Sequence, residues 1–481
     1  MSVSAKQKLA KEHGHTGGVL GDKICTLLLA GLAYPISMTV ETTDVIIIGA
    51  GVAGLTAARL LAEASVRVLI LEARGRAGGR VWTIYAGEGL PVELGAEFMH
   101  GLPRATVDRV RAGHLEMREV GGQEWVYVDG QLRHSEDFFS RIKSVLGRMS
   151  GRGADRSFAS FLDDCFPGEE SAKLRGLEYV EGFHGAIAER ISVHSLVRSR
   201  DAGTGVDSSR SFRFTQGYGS LLRVFEDALP PALVGIRLNS VVRAVRWAAQ
   251  DVRVEAQTQN GIVEFSAPRA IITLPLGVLQ ASPDAPGAVR FEPALEQKAS
   301  ALRLLYMGQT IRISLVFSER WWEKIVARGA EPGTLRGMSF VFSHLEWFPT
   351  WWASSVATLT GWAASRRGER LNGKSGEFIK NKALESLSAI FDIPRQTLEG
   401  MLQSWHVHDW QSDPYARGAY SYVGVGGESA QAELAAPVAG TLFFAGEATN
   451  IEGQHGTVHG AIATGERAAM EILAARPDRL A

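Results

Sequence analysis

Near the start of the chain, apolar residues follow one another in the order expected of a strand, a helix and a second strand. The continuous apolar run Val45–Ile48 predicts a buried strand. Residues 55–64 have the composition of a helix, and the apolar run at residues 66–71 predicts another buried strand. Two buried strands joined by a helix indicate a β-α-β unit, in which the strands lie parallel.

The loop between the first strand and the helix contains three glycines, Gly49, Gly51 and Gly54, and Glu72 ends the second strand. Gly49 permits a tight turn, Gly51 lets the backbone approach a pyrophosphate, and Gly54 lets the helix pack against the strand. The helix N-terminus offers free N–H groups to phosphates, and Glu72 can accept hydrogen bonds from ribose hydroxyls. This pattern predicts a Rossmann-type dinucleotide site, and NADP is disfavoured because the carboxylate would repel a 2′-phosphate.

Apolar periodicity further along the chain indicates a mixture of helices and strands. Helical patterns occur at residues 160–166, 221–228 and 380–391. Alternating or continuous apolar patterns predict strands at residues 252–255, 270–272 and 311–317.

Composition limits the possible functions. A chain of 481 residues is too long for one simple core, so more than one domain is expected. The net charge of −1 gives no indication of a nucleic-acid partner or an acidic membrane surface. Cys25 and Cys165 are the only cysteines in the sequence, which excludes a disulfide framework. His406 and His408 have no cysteine or carboxylate at ligand spacing, so we expect no metal site.

Residues 1–40 precede the first predicted strand and form an extension. Lysines precede an apolar run at residues 24–33, which has the proportions of a signal-peptide core. The cleavage-site pattern Gly31-x-Ala33 is weak, so we interpret the extension as disordered or misassigned and expect a cytoplasmic protein. The alternative is an exported protein, if residues 1–33 act as a signal peptide. No segment reaches the ~20 apolar residues that a bilayer span needs, so no membrane span is expected.

A second glycine-rich motif follows the second strand. Glu72-Ala73-Arg74 is followed by Gly78-Gly79-Arg80. A glycine pair before an arginine suits another close approach to a dinucleotide, with the guanidinium reaching phosphate oxygens. This run resembles the flavin amine oxidase family, which includes monoamine oxidases, polyamine oxidases and flavin histone demethylases. In that family, Glu-Ala-Arg followed by Gly-Gly-Arg wraps FAD.

Further segments are similar to motifs of the same family and occur in family order. They are residues 93–101 (ELGAEFMHG), 273–279 (TLPLGVL), 410–420 (WQSDPYARGAY), 444–449 (FAGEAT) and 456–461 (GTVHGA). The His-Gly ending of the first segment is the polyamine oxidase and demethylase version.

The resemblance implies FAD as the cofactor. The residues expected to contact it are Gly49, Gly51, Gly54, Glu72, Ala73, Arg74, Gly79, Arg80, Gly95, Ala96, Glu97, Phe98, Val242, Trp410, Gly446, Glu447, Thr457, Val458 and Ala461. Ala419 stands where monoamine oxidases carry the cysteine that bonds to FAD, so we expect noncovalent binding.

The flavin motifs fall at the beginning, middle and end of the chain. The predicted fold class is therefore α/β, with a discontinuous Rossmann-like FAD-binding domain and an inserted α+β substrate-binding domain. The FAD-binding domain is assigned to residues 41–105, 235–290 and 425–475. The substrate-binding domain is assigned to residues 106–234 and 291–424.

The reaction that the resemblance implies is oxidation of an amine C–N bond. A neutral amine gives up the hydride of its α-carbon to flavin N5, leaving an imine that water hydrolyses. Dioxygen then reoxidises the flavin and yields hydrogen peroxide. A small amine and dioxygen are the expected partners, and neither the identity of the amine nor the oligomeric state is indicated.

Two alternative functions stay open. One is a non-oxidase flavoprotein, either a dehydrogenase with another acceptor or a protein with structural FAD. The other is an L-amino-acid oxidase, for which we can place no carboxylate-binding arginine.

Four residues are expected to be catalytic: Trp410, Tyr420, His100 and Arg312. Trp410 and Tyr420 match family positions on the substrate side of the flavin, and Tyr420 is expected to form one wall of an aromatic slot. The other wall is a tyrosine in monoamine oxidases and is Thr457 here, so the aromatic cage is incomplete. His100 either hydrogen-bonds substrate or water or is satisfied by backbone groups.

Two charged positions leave alternatives open. Glu97 either pairs with a cationic group of the substrate or hydrogen-bonds cofactor or backbone. Arg312 is the clearest departure from the family, since most members have a lysine there that holds a water against flavin N5. Arginine is a planar fork that stays protonated, and it favours the non-oxidase alternative. We expect the guanidinium of Arg312 to lie near flavin N5. The alternative is that Arg312 points away from the flavin and that Lys298 or Lys324 holds the water instead.

Overall fold

The computed structural model describes residues 40–327, 333–354 and 356–475. The predicted N-terminal extension, including its signal-like run at residues 24–33, lies outside the described residues except for Val40. Within the described ranges, no helix combines the length and the apolar character that a bilayer span requires.

A five-stranded parallel sheet contains the two strands of the predicted β-α-β unit. In spatial order its strands are Val234–Arg237, Val68–Leu71, Val45–Ile48, Arg269–Ile272 and Leu442–Phe444. The central strand is apolar and buried throughout, as expected where both faces of a parallel sheet are covered. The helix of the unit, Val52–Glu63, begins three residues earlier than predicted, with Gly51 as its N-cap.

Helices cover one face of this sheet and a second sheet covers the other. The helices are Val52–Glu63, Gly219–Asp227 and Val458–Ala474, which share one hydrophobic core. The second sheet contains, in order, Glu41–Thr42, Gly261–Ala267, Asp251–Thr258, Val241–Ala248 and Arg290–Glu292. Its Val245 and Val254 pack against Ile46 and Ile48 of the parallel sheet.

A seven-stranded sheet forms the other large β element. Its order is Leu402–Val407, Thr310–Phe317, Thr358–Ala364, Thr350–Ala353, Met338–Ser343, Gln123–Val128 and Gln131–Ser135. Ile311 and Ile313 share a core with the apolar face of helix Gly376–Phe391. Because side chains alternate along a strand, Thr310 and Arg312 face the opposite side, where the cavity described below lies.

A helical layer packs around a separate apolar core. It consists of helices Phe138–Arg148, Phe158–Cys165, Glu170–Leu177 and Val193–Thr204 and the π-helix Glu178–Phe183. The remaining described helices are Arg104–Ala112, Leu276–Leu279, Ala299–Leu304, Arg366–Leu371, Arg395–Met401 and Ala430–Ala435, with short 3₁₀ turns at Glu296–Lys298, Trp321–Lys324 and Glu447–Thr449.

The smaller β elements join distant segments of the chain. Met99–His100, Ser211–Phe214 and Met117–Glu119 form a three-stranded sheet. The two-stranded pairs are Thr83–Ala86 with Leu90–Glu93, Leu305–Met307 with Ser421–Val423, and Val326–Ala327 with Gly333–Thr334.

Helix Gly219–Asp227 lies in the range predicted for the substrate-binding domain, yet its Leu221 and Phe225 join the core around helix Val52–Glu63. The boundaries between the two domains stay a prediction.

Candidate active site

One cavity of about 1440 Å³ brings together nearly all the residues that the sequence predicts for the site. Those that line it are Gly49, Gly51, Glu72, Ala73, Arg74, Gly79, Arg80, Gly95, Ala96, Glu97, Phe98, His100, Val242, Arg312, Trp410, Tyr420, Gly446, Glu447, Thr457, Val458 and Ala461. Gly54 does not line it, because its role is packing: a Cβ there would lie 2.1 Å from the carbonyl oxygen of Gly49. A small-molecule site usually occupies roughly 300–1,000 Å³, so this cavity has room for a dinucleotide and a second molecule.

Gly49 and Gly51 shape the turn before the first helix. Gly49 adopts a φ of +110°, and a Cβ there would meet Thr273 Oγ1 at 2.5 Å. A Cβ on Gly51 would have no protein atom within 4 Å, and Gly51 caps the helix without a side-chain hydrogen bond. The first N–H groups of a helix lack intrahelical partners and carry the positive end of its dipole. The turn therefore offers open space beside free donors, which suits a pyrophosphate.

The buried carboxylate of Glu72 holds this turn in shape. Its Oε2 accepts from the backbone N–H of Ala50 at 2.9 Å, and its Oε1 accepts from that of Arg74 at 2.9 Å. A carboxylate has about four acceptor positions, so Glu72 keeps capacity for hydroxyl donors in the cavity.

A second helix begins at the same cavity. Thr457 caps helix Val458–Ala474: its hydroxyl accepts from the N–H of Gly460 at 2.9 Å and donates to the carbonyl of Gln454 at 2.6 Å. The Thr457 hydroxyl is thus committed to starting the helix. Two helix N-termini, the open space at Gly51 and the carboxylate of Glu72 together fit a dinucleotide cofactor such as FAD.

Arg80, which is predicted to reach phosphate oxygens, lines the cavity and is also paired within the protein. Its Nη1 lies 2.8 Å from Glu447 Oε1 and donates to the carbonyl of Ala419 at 2.9 Å. Glu447 Oε2 accepts from the Ser421 hydroxyl at 2.6 Å and from the N–H of Gly456 at 2.8 Å. Burial acts to raise the pKa of Glu447, but Arg80 and these donors outweigh it, so the pKa is lowered. The ion pair therefore connects the segments around Arg80, Ser421 and Gly456, which all line the cavity.

Aromatic rings form another part of the wall. Trp410 is almost fully buried and donates to the carbonyl of Leu94 at 2.7 Å. The Tyr420 hydroxyl donates to the carbonyl of Phe183 at 2.8 Å, and Trp362 Nε1 donates to the carbonyl of Gly182 at 2.8 Å. Both acceptors end the π-helix Glu178–Phe183, an element that the sequence analysis missed.

His100 lies in the cavity wall as a neutral group. Its Nδ1 lies 3.0 Å from the Ser211 hydroxyl, and burial lowers the pKa of His100 to about 4. His184, His455 and His459 also line the cavity and were missed by sequence reasoning. Burial lowers the pKa of His184 to about 3 and the pKa values of His455 and His459 to about 4.

Arg312 faces the cavity, but it is held in an ionic network. Its Nη1 donates to the carbonyl of Gly95 at 2.8 Å, and its Nη2 donates to Glu97 Oε2 at 2.6 Å. Glu97 also forms an ion pair with Arg213 Nε at 2.7 Å and accepts from Trp352 Nε1 at 3.1 Å. Burial acts to raise the pKa of Glu97, but Arg213 and Arg312 outweigh it and lower the pKa. Of the two roles considered for Glu97, these partners disfavour pairing with a cationic substrate group.

Strand Ser211–Phe214 supplies the partners of both His100 and Glu97. Ser211 contacts His100 and Arg213 pairs with Glu97, whereas Phe212 and Phe214 are buried on the other face. The alternation Ser-Phe-Arg-Phe is a sequence signal for two polar residues on one face of a strand. Their partners depend on strand pairing, in which Ser211 lies opposite His100.

Comparison with known proteins decides the family. The family model of flavin containing amine oxidoreductases matches residues 52–124 and 126–473. The chain belongs to this family. It is 30% identical over 465 residues to polyamine oxidase 2 of Arabidopsis thaliana, covering 90% of this chain and 88% of the relative. It is 27% identical to lysine-specific histone demethylase 2 of Homo sapiens, covering 92% of this chain and 54% of that protein.

Solved structures show the same fold. A putrescine oxidase bound to putrescine superposes with a TM-score of 0.75 at 21% identity, covering 90% of this chain and 100% of that one. Cyclohexylamine oxidase from Brevibacterium oxydans gives a TM-score of 0.72 at 21% identity, covering 89% and 98%. The predicted family, the α/β fold class, the FAD cofactor and the function as an amine oxidase are confirmed, and the alternative functions are not favoured.

No lysine among the described residues lines the cavity of this flavin amine oxidase. Lys298 is buried elsewhere and donates to the carbonyls of Glu433 and Ala436 at the end of helix Ala430–Ala435. Lys324 is exposed and pairs with Glu319. Neither lysine is placed to take the role considered for Arg312.

Acidic side chains outnumber basic ones around the cavity. The carboxylates are Glu72, Glu97, Glu124, Glu136, Asp137, Glu178, Glu181, Asp207 and Glu447, and the arginines are Arg74, Arg80, Arg200, Arg312 and Arg367. Each of these arginines has a carboxylate within 4.0 Å. The wall therefore favours a cationic ligand over the carboxylate of an amino acid.

Proposed function

We propose that this chain is an oxidase of small di- or polyamines that binds FAD noncovalently, uses dioxygen as acceptor and releases hydrogen peroxide. The main support for this proposal is that the Oε2 atom of Glu124 is buried and has no hydrogen-bond partner among the described residues. Glu124 lines the cavity together with the carboxylates Asp137 and Glu178, and it is close enough to Asp137 to feel its charge. The remote cationic nitrogen of a diamine would supply the missing partner. The resemblance to a polyamine oxidase at 30% identity supports the same substrate class.

The residues proposed to hold FAD are the ones whose geometry suits a dinucleotide. The Gly51 turn and the N-terminus of helix Val52–Glu63 would bind the pyrophosphate, and Glu72 would accept from ribose hydroxyls. Thr457 would direct the second helix N-terminus at the same ligand. When bound, FAD supplies the acceptor for the hydride of the amine α-carbon and passes electrons to dioxygen.

The surrounding side chains favour a neutral amine at the reacting end. An ammonium has no lone pair to assist hydride loss, so the pocket must disfavour the protonated form. Trp362 and Tyr420 offer apolar ring faces, and the imidazole of His100 is uncharged near pH 7. Arg312 adds a positive charge in the wall that also disfavours an ammonium. Desolvation and like charge therefore act together to lower the pKa of the bound amine.

Glu124 is suited to the opposite task, which is to bind a nitrogen that stays protonated. Burial raises the pKa of Glu124 to about 7, with Asp137 adding to the effect and Arg141 opposing it. A bound ammonium would stabilise the ionised carboxylate, so binding of the cation and ionisation of Glu124 are coupled.

The test compares putrescine with butylamine, which has the same four-carbon chain and one nitrogen fewer. We expect peroxide from the purified holoenzyme with putrescine, and a KM for putrescine that Glu124→Gln raises about tenfold or more, the effect of a lost charged hydrogen bond of about 1.5–3 kcal/mol. The KM for butylamine should change less than about twofold in the same variant. Glu136→Gln, at an exposed position of the same wall, is the matched control. Equal effects of Glu124→Gln on both amines would contradict the diamine assignment, and absence of peroxide with all amines would contradict the oxidase.

Noncovalent binding rests on Ala419, which offers no thiol for a bond to the flavin. Acid precipitation of the holoenzyme should leave a yellow supernatant, whereas a yellow pellet would contradict the proposal.

A cytoplasmic location is proposed from the weak cleavage pattern at Gly31-x-Ala33. Cell fractionation with an antibody to the protein tests it, and recovery from the culture medium would favour export.

A further inference from the structure

The π-helix Glu178–Phe183 ends at the centre of the aromatic wall. Its last two carbonyls, of Gly182 and Phe183, accept from Trp362 and Tyr420, each at 2.8 Å. π-Helical turns are rare and are frequent at functional sites. This turn attaches two rings of the wall to one short segment, so the position of Phe183 is linked directly to that of Tyr420.

The ring of Phe183 contacts two different groups of side chains. The first group is joined to the end of the π-helix: His100, whose ring centroid lies 5.2 Å from that of Phe183, and Tyr420 and Trp362, which donate to the last two carbonyls; we call these three residues the inner wall. The second group consists of Phe138 and Phe139, at 6.5 and 6.0 Å from Phe183, and Phe342, which stacks on Phe138 at 5.5 Å; we call these three the outer wall. All six of these residues line the same cavity.

The side chain of Phe183 is also more exposed than the number of rings around it would suggest. It is 37% exposed although it packs against five aromatic or imidazole rings, and it lines the cavity. A large apolar side chain exposed to an internal cavity is a surface for an apolar part of a ligand.

We propose that Phe183 determines which amines reach the inner wall, by admitting an unbranched alkyl chain and excluding a ring or branch next to the amino group. The inference rests on the proposed function, because Glu124 accepts a hydrogen bond from the N–H of Phe138 and so belongs to the outer side. A diamine with one nitrogen at Tyr420 and the other at Glu124 has to extend past Phe183. A linear methylene chain can lie along the ring face, whereas a cyclic substituent requires the volume that the ring occupies.

The experiment measures selectivity and binding separately. For selectivity, the ratio of kcat/KM for cyclohexylamine to that for butylamine is compared in the wild type, Phe183→Leu and Phe183→Ala. We expect the ratio to rise about tenfold or more in Phe183→Ala and less in Phe183→Leu, since a single methylene group in an apolar pocket can change selectivity by roughly 10–200-fold. Phe342→Ala removes the same ring from the outer wall and should change the ratio less than about threefold.

Binding is measured with tert-butylamine and 2-phenylpropan-2-amine, which have no hydrogen on the α-carbon and cannot be oxidised there. Their Kd values follow from changes in the visible flavin spectrum of the holoenzyme. Phe183→Ala should tighten binding of the bulky amine about tenfold relative to the small one. This readout does not need turnover, so it tests Phe183 even if the wild type oxidises no amine. FAD content is measured in each variant, and if Phe183→Ala loses FAD, Phe183→Leu carries the test.

Unchanged ratios in both Phe183 variants would overturn the inference while leaving the amine oxidase assignment intact. An equal rise in Phe342→Ala would overturn it as well, because general enlargement of the cavity would then explain the result.

Discussion

The two ends of the cavity, which we assign to the dinucleotide and to the amine, are built from different chemical groups. At the dinucleotide end, the surface consists of backbone at Gly49 and Gly51, two helix N-termini, and charges such as Arg80 and Glu447 that already have partners. At the amine end, the surface consists of rings from separate segments and includes the under-partnered carboxylate of Glu124. A preorganised backbone cradle binds one ligand shape, whereas a wall of individual side chains can be altered one residue at a time.

This difference predicts separable effects of substitution. Changes at the dinucleotide end should remove FAD and therefore all activity. Changes at the amine end should alter rates, selectivity and pH dependence while FAD stays bound. The network of Arg312, Glu97 and Arg213 lies between the two ends, since Glu97 follows Gly95 and Ala96 of a flavin motif and contacts Trp352 of the seven-stranded sheet. Removal of the carboxylate of Glu97, which both arginines share, should affect both ends, whereas Arg312→Lys, which keeps the charge, should affect rates alone.

The largest effect is expected from Gly51→Val, which should abolish FAD retention. A Cβ added to Gly51 would have no protein atom within 4 Å, so we expect the valine side chain to enter the space assigned to the pyrophosphate with little disturbance of the fold. The unfolding free energy of the apoprotein should fall by only about 1 kcal/mol, the cost of a poorer N-cap. Flavin absorbance per protein and denaturant unfolding of the apoprotein measure the two quantities.

Gly54→Val is the matched control on the same turn. A Cβ there would lie 2.1 Å from the carbonyl oxygen of Gly49, so this variant should lose stability as well as FAD. Full retention of FAD in Gly51→Val would contradict the assignment of the pyrophosphate to Gly51. Equal destabilisation of the apoprotein by both variants would contradict the different roles of Gly51 and Gly54.

The next largest effect is expected from Glu97→Gln. The change leaves the buried Arg312 and the partly buried Arg213 without their shared carboxylate, and loss of one partner of a buried ion pair typically costs about 3–5 kcal/mol. Denaturant unfolding of the holoenzyme at pH 6 measures the loss.

Glu93→Gln is the control, because burial raises the pKa of Glu93 to about 7 and the carboxyl is largely neutral at pH 6. It accepts from Thr83 Oγ1 and from the N–H of Tyr218, and a glutamine oxygen can still accept. We expect a much smaller loss of stability than in Glu97→Gln. Equal losses would mean that the charge of Glu97 does not stabilise the network.

The sequence predicts the residues of the dinucleotide end better than the contacts of the amine end, for a physical reason. Gly49, Gly51, Gly54 and Glu72 could be assigned because a tight turn and a close approach to phosphate impose residue types at fixed local spacing. The pairing of Glu97 with Arg213 could not, because the two residues are far apart in the chain and meet only through strand pairing. Apolar periodicity cannot predict these contacts between distant segments.

The π-helix and the cavity carboxylate illustrate the same limit. Glu178–Phe183 continues a helical pattern, and nothing in its composition distinguishes π from α hydrogen bonding. The sequence indicates an ordinary polar position at Glu124 in an alternating strand, and only the packing of distant segments buries its Oε2. The resemblance to the family predicts Arg312 near the flavin, but it does not predict the partners Gly95 and Glu97.

A smaller effect, on rates alone, is expected from Arg312→Lys. Lysine keeps the charge but cannot reproduce the fork that reaches both Gly95 and Glu97, so a water can enter the space that the guanidinium occupies. FAD content should stay intact, and the rate of flavin reoxidation, or else that of flavin reduction, should change by about threefold to tenfold. Rapid mixing of each half-reaction measures the change. Arg367→Lys, another arginine of the cavity wall, is the control. Identical rates in both half-reactions of Arg312→Lys would show that the substitution of the family lysine has no kinetic consequence.

The smallest effect concerns the pH dependence of substrate preference. Burial raises the pKa of Glu124 to about 7, so the carboxyl is neutral below that pH and attracts the remote nitrogen of a diamine only above it. The ratio of kcat/KM for putrescine to that for butylamine should therefore rise as pH increases from 6 to 8 and then level off. Taking the ratio cancels the deprotonation of the reacting amine, which both substrates share. In Glu124→Gln the ratio should be low and independent of pH. A ratio that still rises in this variant would assign the titration to another carboxylate that lines the cavity, and Glu178, whose pKa burial also raises, would be the first to replace.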